Sequence, residues 1–94
     1  MRSVDALRSF VAVVRTGGVS AAARTLHYDP STVRAHIRGL ERRWHVRLLH
    51  RSQRDGRNLL TGAGNKIAPQ AVEAIAAIDR LDTTAATLGK KQEV

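Results

Sequence analysis

Two breaks govern what this chain can fold into. Gly17-Gly18 and Asp29-Pro30 cut the first 44 residues into three segments, each with apolar residues at helical spacing. In the first, Val4, Leu7, Val11 and Val14 recur on one face with Phe10 beside them; Ser3 is the expected cap, and Asp5 suits the positive helix end. In the second, Ser20 is the expected cap of a short helix from Ala21 to Leu26, whose Ala21-Ala22-Ala23 run lets another helix approach closely. In the third, the Asp29 carboxylate is the expected cap and Pro30 fits the first helical position. Val33, Ile37, Leu40 and Trp44 then form its inward stripe. His27-Tyr28-Asp29 becomes a three-residue connection between two helices, which is the helix-turn-helix pattern.

After Trp44 the period changes. Val46 to Arg51 reads as a short strand, Arg54-Asp55-Gly56-Arg57 carries a turn dipeptide, and Asn58-Leu59-Leu60 is a short return strand. Such a hairpin beside a helix-turn-helix is a wing. Thr61 then caps a last, long helix over 62–88, leaving 89–94 as a frayed tail. Within it Ile67, Ala71, Ala74, Ile78, Leu81, Ala85 and Leu88 alternate in steps of four and three, a heptad seam. The seam can pack on its own domain or on a partner helix. About 27 residues at 1.5 Å each reach roughly 40 Å, past the edge of a three-helix core, which favours a partner. Pro69 predicts a kink or a join. The architecture expected is mainly α: a winged helix-turn-helix over 1–61, then a dimerisation helix.

Composition narrows the function. Sixteen Lys and Arg against eight Asp and Glu give a net charge of +8, yet 43% hydrophobic residues exclude a disordered polycation. Eight arginines (34, 38, 42, 43, 47, 51, 54 and 57) against Glu41 and Asp55 hold +6 of that charge in a quarter of the chain. Arginine forks match phosphate oxygens bidentately, so nucleic acid is the first expected partner and an anionic membrane surface the second. With no cysteine there is no disulfide framework, thiolate nucleophile or Cys-based zinc site. His27, His36, His45 and His50 lack a completing ligand set, and His45 and His50 fall on opposite faces of a strand-like stretch. No nucleophile–base pair, paired carboxylates or phosphate loop argues for an enzyme. No metal, cofactor or membrane span is expected, and the chain reads as cytoplasmic and nucleoid-associated.

Phe10-x-x-Val13, Gly18-x-Ser20-x-Ala22-Ala23-x-x-Leu26, Val33-x-x-x-Ile37-x-x-Leu40-Glu41, Leu48-x-x-Arg51 and Leu60-Thr61-x-Ala63-Gly64 stand in order along the chain. Together they resemble the DNA-binding domain and linker helix of LysR-type transcriptional regulators. The resemblance implies a winged helix-turn-helix that binds DNA as a dimer through antiparallel linker helices. It also implies a C-terminal effector domain, which would begin about where this chain ends; no small-molecule effector is expected here. The departures fall at the recognition helix, 30–44. Where the family usually has Ser-Gln-Pro-Ala-Val-Ser, this chain has Asp29-Pro30-Ser31-Thr32-Val33-Arg34. The usual base-reading glutamine is Pro30, and the last serine is Arg34. Where the family usually has glycine after the third helix stands His45, which is expected in a left-handed conformation or in a different connection.

The expected DNA-binding residues are Ser20, Ser31, Thr32, Arg34, Arg38, Arg51, Arg54 and Arg57. Arg34 can fork onto guanine O6 and N7 or grip a phosphate. Thr32 can hydrogen-bond a base or meet a thymine methyl, and Arg38 suits a phosphate. Ser20 can hold a phosphate at a helix start or simply cap it. Arg51 can instead pair with Glu41 or a carbonyl, while Arg54 and Arg57 ride on the wing, 46–60, near the minor groove. His36 is placed beside the same face. Two other readings stand against a sequence-specific homodimer. One is a module that pairs with and antagonises a longer relative; the other is a sequence-neutral DNA-binding protein.

Overall fold

The computed structural model describes residues 2–50 and 59–92. Four helices follow one another: α1 (Arg2–Thr16), α2 (Val19–Leu26), α3 (Pro30–Trp44) and α4 (Gly62–Gln92). α1 is the centre of the packing, touching each of the other three. It brings the fully buried Phe10 and Val13 against Ala22 and Ala23 of α2 and Val33 and Ile37 of α3. Those two alanines are what let α2 lie close.

The helix ends differ in detail from the sequence expectation. Ser3 lies inside the first turn of α1, and its Oγ accepts a hydrogen bond from Arg43 Nη1 at 2.6 Å. The start of α1 is thereby tied to the end of α3. α2 begins earlier than expected, at Val19, with Gly18 as cap in extended backbone and no side-chain cap. Ser20 therefore sits in the first turn and is not the cap. Asp29 does cap α3, but through its carbonyl, which accepts from Thr32 N at 3.0 Å and Val33 N at 3.3 Å, and not through its carboxylate.

Both helices of the helix-turn-helix end on a left-handed histidine. His27 has φ 60° and His45 has φ 56°. The turn after α2 is closed by Tyr28 N donating to Ala23 O at 2.9 Å and His27 N to Arg24 O at 3.3 Å. Val46 N donates to Glu41 O at 3.2 Å after α3. These satisfy carbonyls that the helix ends leave open. The left-handed reading of His45 is thus the geometry found.

Beyond α3, Leu49 and Leu60 form an antiparallel bridge, with His50 N donating to Leu59 O at 2.8 Å and Thr61 N to Leu48 O at 2.9 Å. Where two short strands were expected, the described residues show this single bridge and no strand, and the expected turn at 54–57 lies outside them. Thr61 caps α4 as expected, its Oγ1 accepting from Gly64 N at 3.0 Å and donating to Arg47 O. Gly64 lies against the chain here: a Cβ on it would overlap the Leu48 carbonyl oxygen and stand 3.2 Å from the carbonyl carbon.

α4 runs through Pro69 as one helix and on to Gln92, so the stretch expected as tail is helical through that residue. At 31 residues it is roughly 46 Å long, most of the molecule's 55 Å extent. Its first half packs on the core through Ala68, Ala71 and Ile75, and Arg8 Nη2 meets Asp79 Oδ1 at 3.0 Å. From Arg80 to Lys90 every residue is exposed. Trp44, expected inward, is 36% exposed and borders an apolar groove with Leu7, Ile67 and Ala74.

Candidate nucleic-acid interface

The buried stripe of α3 is Val33, Ile37 and Leu40. A helix that buries one stripe presents the opposite one. On α3 that outward ridge is Ser31, Ala35, Arg38 and Arg42, spaced by four, three and four, and all four are exposed. The flank beside it carries Arg34, Arg38 and Glu41. Thr32 lies toward the other flank and is half-buried.

The arginine flank looks into a cleft of about 440 Å³. Arg34 and Arg38 of α3 border one side, Arg47 and His50 of the following segment the other, with Val19 and Leu49 among the residues between them. Arg38 also borders a second, shallower cleft with Arg42, His45 and Arg47. Among the described residues the one ion pair is Arg8–Asp79, so none of Arg34, Arg38, Arg42 and Arg47 meets a carboxylate there.

Glu41 explains how so basic a surface is held in shape. Its Oε2 accepts from the backbone N–H of Leu48 at 2.8 Å and of Leu49 at 3.3 Å. That carboxylate fastens the segment after α3 to the helix and brings Arg47 to the cleft that Arg34 and Arg38 also border. In the sequence Glu41 stands out as part of the family pattern and as a partner for Arg51, not as an acceptor for backbone N–H groups. The signal for that role is an acid in the last turns of a helix, where the dipole disfavours it. A local backbone donor gives it a reason to be there.

The remaining expected residues divide. Ser20 is exposed in the first turn of α2, near the Val19 end of the cleft. Arg51, Arg54 and Arg57 lie outside the described residues. His36 is not on the outward ridge: its Nδ1 is 2.6 Å from Oγ of the buried Ser9 on α1, and its ring meets Tyr28 edge-on at 5.5 Å. It is a packing residue between α1, α3 and the turn.

The seam of α4 also divides. Ala71 is buried and Ile67 and Ile78 are half-buried, whereas Ala74, Leu81, Ala85 and Leu88 are exposed, Leu81 by 65% and Leu88 by 52%. Among the described residues no cluster of three or more His, Cys, Asp or Glu could hold a metal ion. No helix among them is long and apolar enough to cross a membrane.

Comparison with known proteins gives a consistent picture. The family model for bacterial regulatory helix-turn-helix proteins, lysR family, matches residues 4–65. The HTH-type transcriptional regulator YofA of Bacillus subtilis is 35% identical over 82 residues, 87% of this chain and 28% of that protein. A probable hydrogen peroxide-inducible genes activator of Mycobacterium leprae is 39% identical over 84 residues, 89% of this chain and 26% of its own length. The chain thus spans between a quarter and a third of these curated relatives. Among solved structures, the CbnR_DBD-DNA complex matches with TM-score 0.77 and 28% identity over 92% of this chain and 97% of that one. A Corynebacterium glutamicum OxyR C206 mutant matches with TM-score 0.83 and 26% identity, covering 89% of this chain and 26% of that one.

Proposed function

The chain belongs to the lysR family of bacterial regulatory helix-turn-helix proteins, which are regulators of transcription and not enzymes, and from that premise we propose that it binds double-stranded DNA sequence-specifically as a homodimer. The observation that carries the reading is the outward face of α3. Ser31, Ala35 and Arg38 stand opposite the buried stripe, flanked by arginines that meet no carboxylate among the described residues. A helix with its side chains is about 10–12 Å across and the major groove about 12 Å wide, so α3 fits with this ridge toward the base edges. The CbnR_DBD-DNA complex, a structural neighbour, contains DNA, which supports the same reading.

Dimerisation is proposed through α4, residues 62–88. Ile67, Ala74, Leu81 and Leu88 are seven apart, so they line one column of the helix. A two-fold antiparallel pairing centred near Ala77 would set Ala74 against the partner's Leu81 and Ile67 against the partner's Leu88. Small meets large at the first of these contacts. Such a dimer carries two recognition helices into major grooves about 34–36 Å apart on an imperfect palindrome. The wings, 46–60, lie along the flanking minor grooves. The setting is the bacterial cytoplasm, at the nucleoid.

The test is selection of binding sites from a random duplex library at near-physiological salt. Enrichment of a two-fold symmetric motif is the expected result. Tight binding at low salt without any enriched motif would overturn sequence reading and leave sequence-neutral binding in its place.

A further inference from the structure

The outward side of the recognition helix carries arginines at two angles, Arg38 and Arg42 on the ridge opposite the core and Arg34 on its flank. The ridge of Ser31, Ala35, Arg38 and Arg42 lies opposite the core, so it is the part of α3 that reaches deepest into a groove. Arg34 is not on it. Arg34 lies on the flank, within a cleft whose far wall, Arg47 and His50, comes from the segment beyond α3 and whose rim toward the ridge is Arg38. A helix that fills the major groove meets base edges along its ridge and sugar-phosphate backbone along its flanks.

We infer that the Arg34–Arg47 cleft seats a backbone phosphate of the DNA, making Arg34 a positioning residue, and that sequence reading passes to Ser31, Ala35 and Arg38. This assignment rests on the DNA-binding reading above and departs from the guanine-reading role that spacing alone allows Arg34. Three arginines border the cleft; its one carboxylate, that of Glu41, is engaged by the Leu48 and Leu49 N–H groups. Three guanidinium groups against one carboxylate leave the cleft with a net positive charge, and arginines stand on both its walls. A tetrahedral anion with oxygens facing both ways suits it better than the planar edge of a base, which a single guanidinium engages in one plane. On the ridge, the Ala35 methyl suits a thymine methyl and Arg38 the O6 and N7 of guanine.

The experiment measures affinity of wild type, Arg34→Ala, Arg34→Lys and Arg38→Ala for two duplexes of equal length. One is the motif preferred in the library selection and the other its scrambled sequence, each titrated from 50 to 200 mM salt. Arg34→Ala is expected to weaken both duplexes by the same factor and to flatten the log–log salt slope by about 0.9 per protomer. Its penalty then shrinks about 3.5-fold per protomer across that fourfold salt range. Arg34→Lys, which keeps the charge, should keep the slope, and Arg38→Ala should narrow the gap between the two duplexes. If Arg34→Ala narrows that gap while leaving the slope unchanged, Arg34 reads a base and the inference is overturned. Failure of wild type to bind either duplex would sink the DNA-binding reading itself, a result distinct from any change of slope.

Discussion

Gly64 offers the sharpest test of how the segment after α3 is fixed to α4. It is the third residue of α4, where alanine is normally preferred over glycine by about 1 kcal/mol. Here the neighbour decides otherwise. A Cβ at Gly64 would overlap the Leu48 carbonyl oxygen, with the carbonyl carbon at 3.2 Å and the Leu48 Cα at 3.4 Å. All three are backbone atoms, and Leu48 is fully buried, so no side chain can swing aside. Overpacking of this kind costs about 1–3 kcal/mol. The same carbonyl accepts from Thr61 N at 2.9 Å, and displacing it forfeits a further ~1 kcal/mol. Set against the propensity gain, Gly64→Ala should destabilise by about 2 kcal/mol. For a domain of this size that lowers Tm by roughly 8–16 °C, read by circular dichroism at one fixed protein concentration. Gly39→Ala is the control. Gly39 lies inside α3 with nothing within 4 Å of a Cβ, so alanine there should stabilise by up to about 1 kcal/mol. A Gly64→Ala variant as stable as wild type, beside a stabilised Gly39→Ala, would refute the close-approach argument.

Removing Glu41 as alanine should leave the Leu48 and Leu49 N–H groups without their acceptor and lower stability by about 2 kcal/mol in urea unfolding. Glu41→Gln, which keeps an acceptor oxygen, should lose less; equal losses would mean the contact is not what matters. His45→Gly relieves a left-handed side chain at φ 56°, and after the entropy glycine adds to the unfolded chain it should gain about 0.5 kcal/mol. A lower Tm would contradict that. Leu81→Asp places a charge on the exposed column of α4, so sedimentation equilibrium should shift toward monomer while helix content is largely kept. An unchanged distribution would remove α4 from the interface.

Much of the fold is legible because its breaks are local. Gly17-Gly18, Asp29-Pro30 and Thr61 each stop or start a helix through backbone chemistry that a few residues decide, and His45 stands in the left-handed geometry where the resemblance calls for glycine. The misplaced details are those where two local solutions compete. Serine is a better cap than glycine, yet Gly18 in extended backbone starts α2 two residues earlier and Ser20 is carried into the helix. Trp44 follows the spacing of Val33, Ile37 and Leu40, but the stripe reaches the end of α3, where it borders the groove with Leu7, Ile67 and Ala74 instead of entering the core. In the site, Arg34 and Arg38 are adjacent in any list of basic residues. What separates them is the angle each takes on α3: Arg38 stands on the ridge opposite the buried stripe, and Arg34 lies off it on the flank.

The seam of α4 was ambiguous for a deeper reason. An amphipathic stripe facing its own domain and a heptad facing a partner use the same residues at nearly the same spacing. What separates them is how far the covering surface extends. α1 has 15 residues and is roughly 22 Å long, and the Arg8–Asp79 pair marks about where its cover of α4 ends. Up to that point Ala68, Ala71 and Ile75 are buried on the chain's own core. Beyond it three further turns continue with every residue through Lys90 exposed, and Leu81 and Leu88 still keep the seven-residue column begun by Ile67 and Ala74. A bare helix of that length is marginal in water and gains nothing from two leucines left in solvent. The helix packs on its own core in its first half and is exposed in its second, and the column there would become a stabilising feature if a second α4 lay along it.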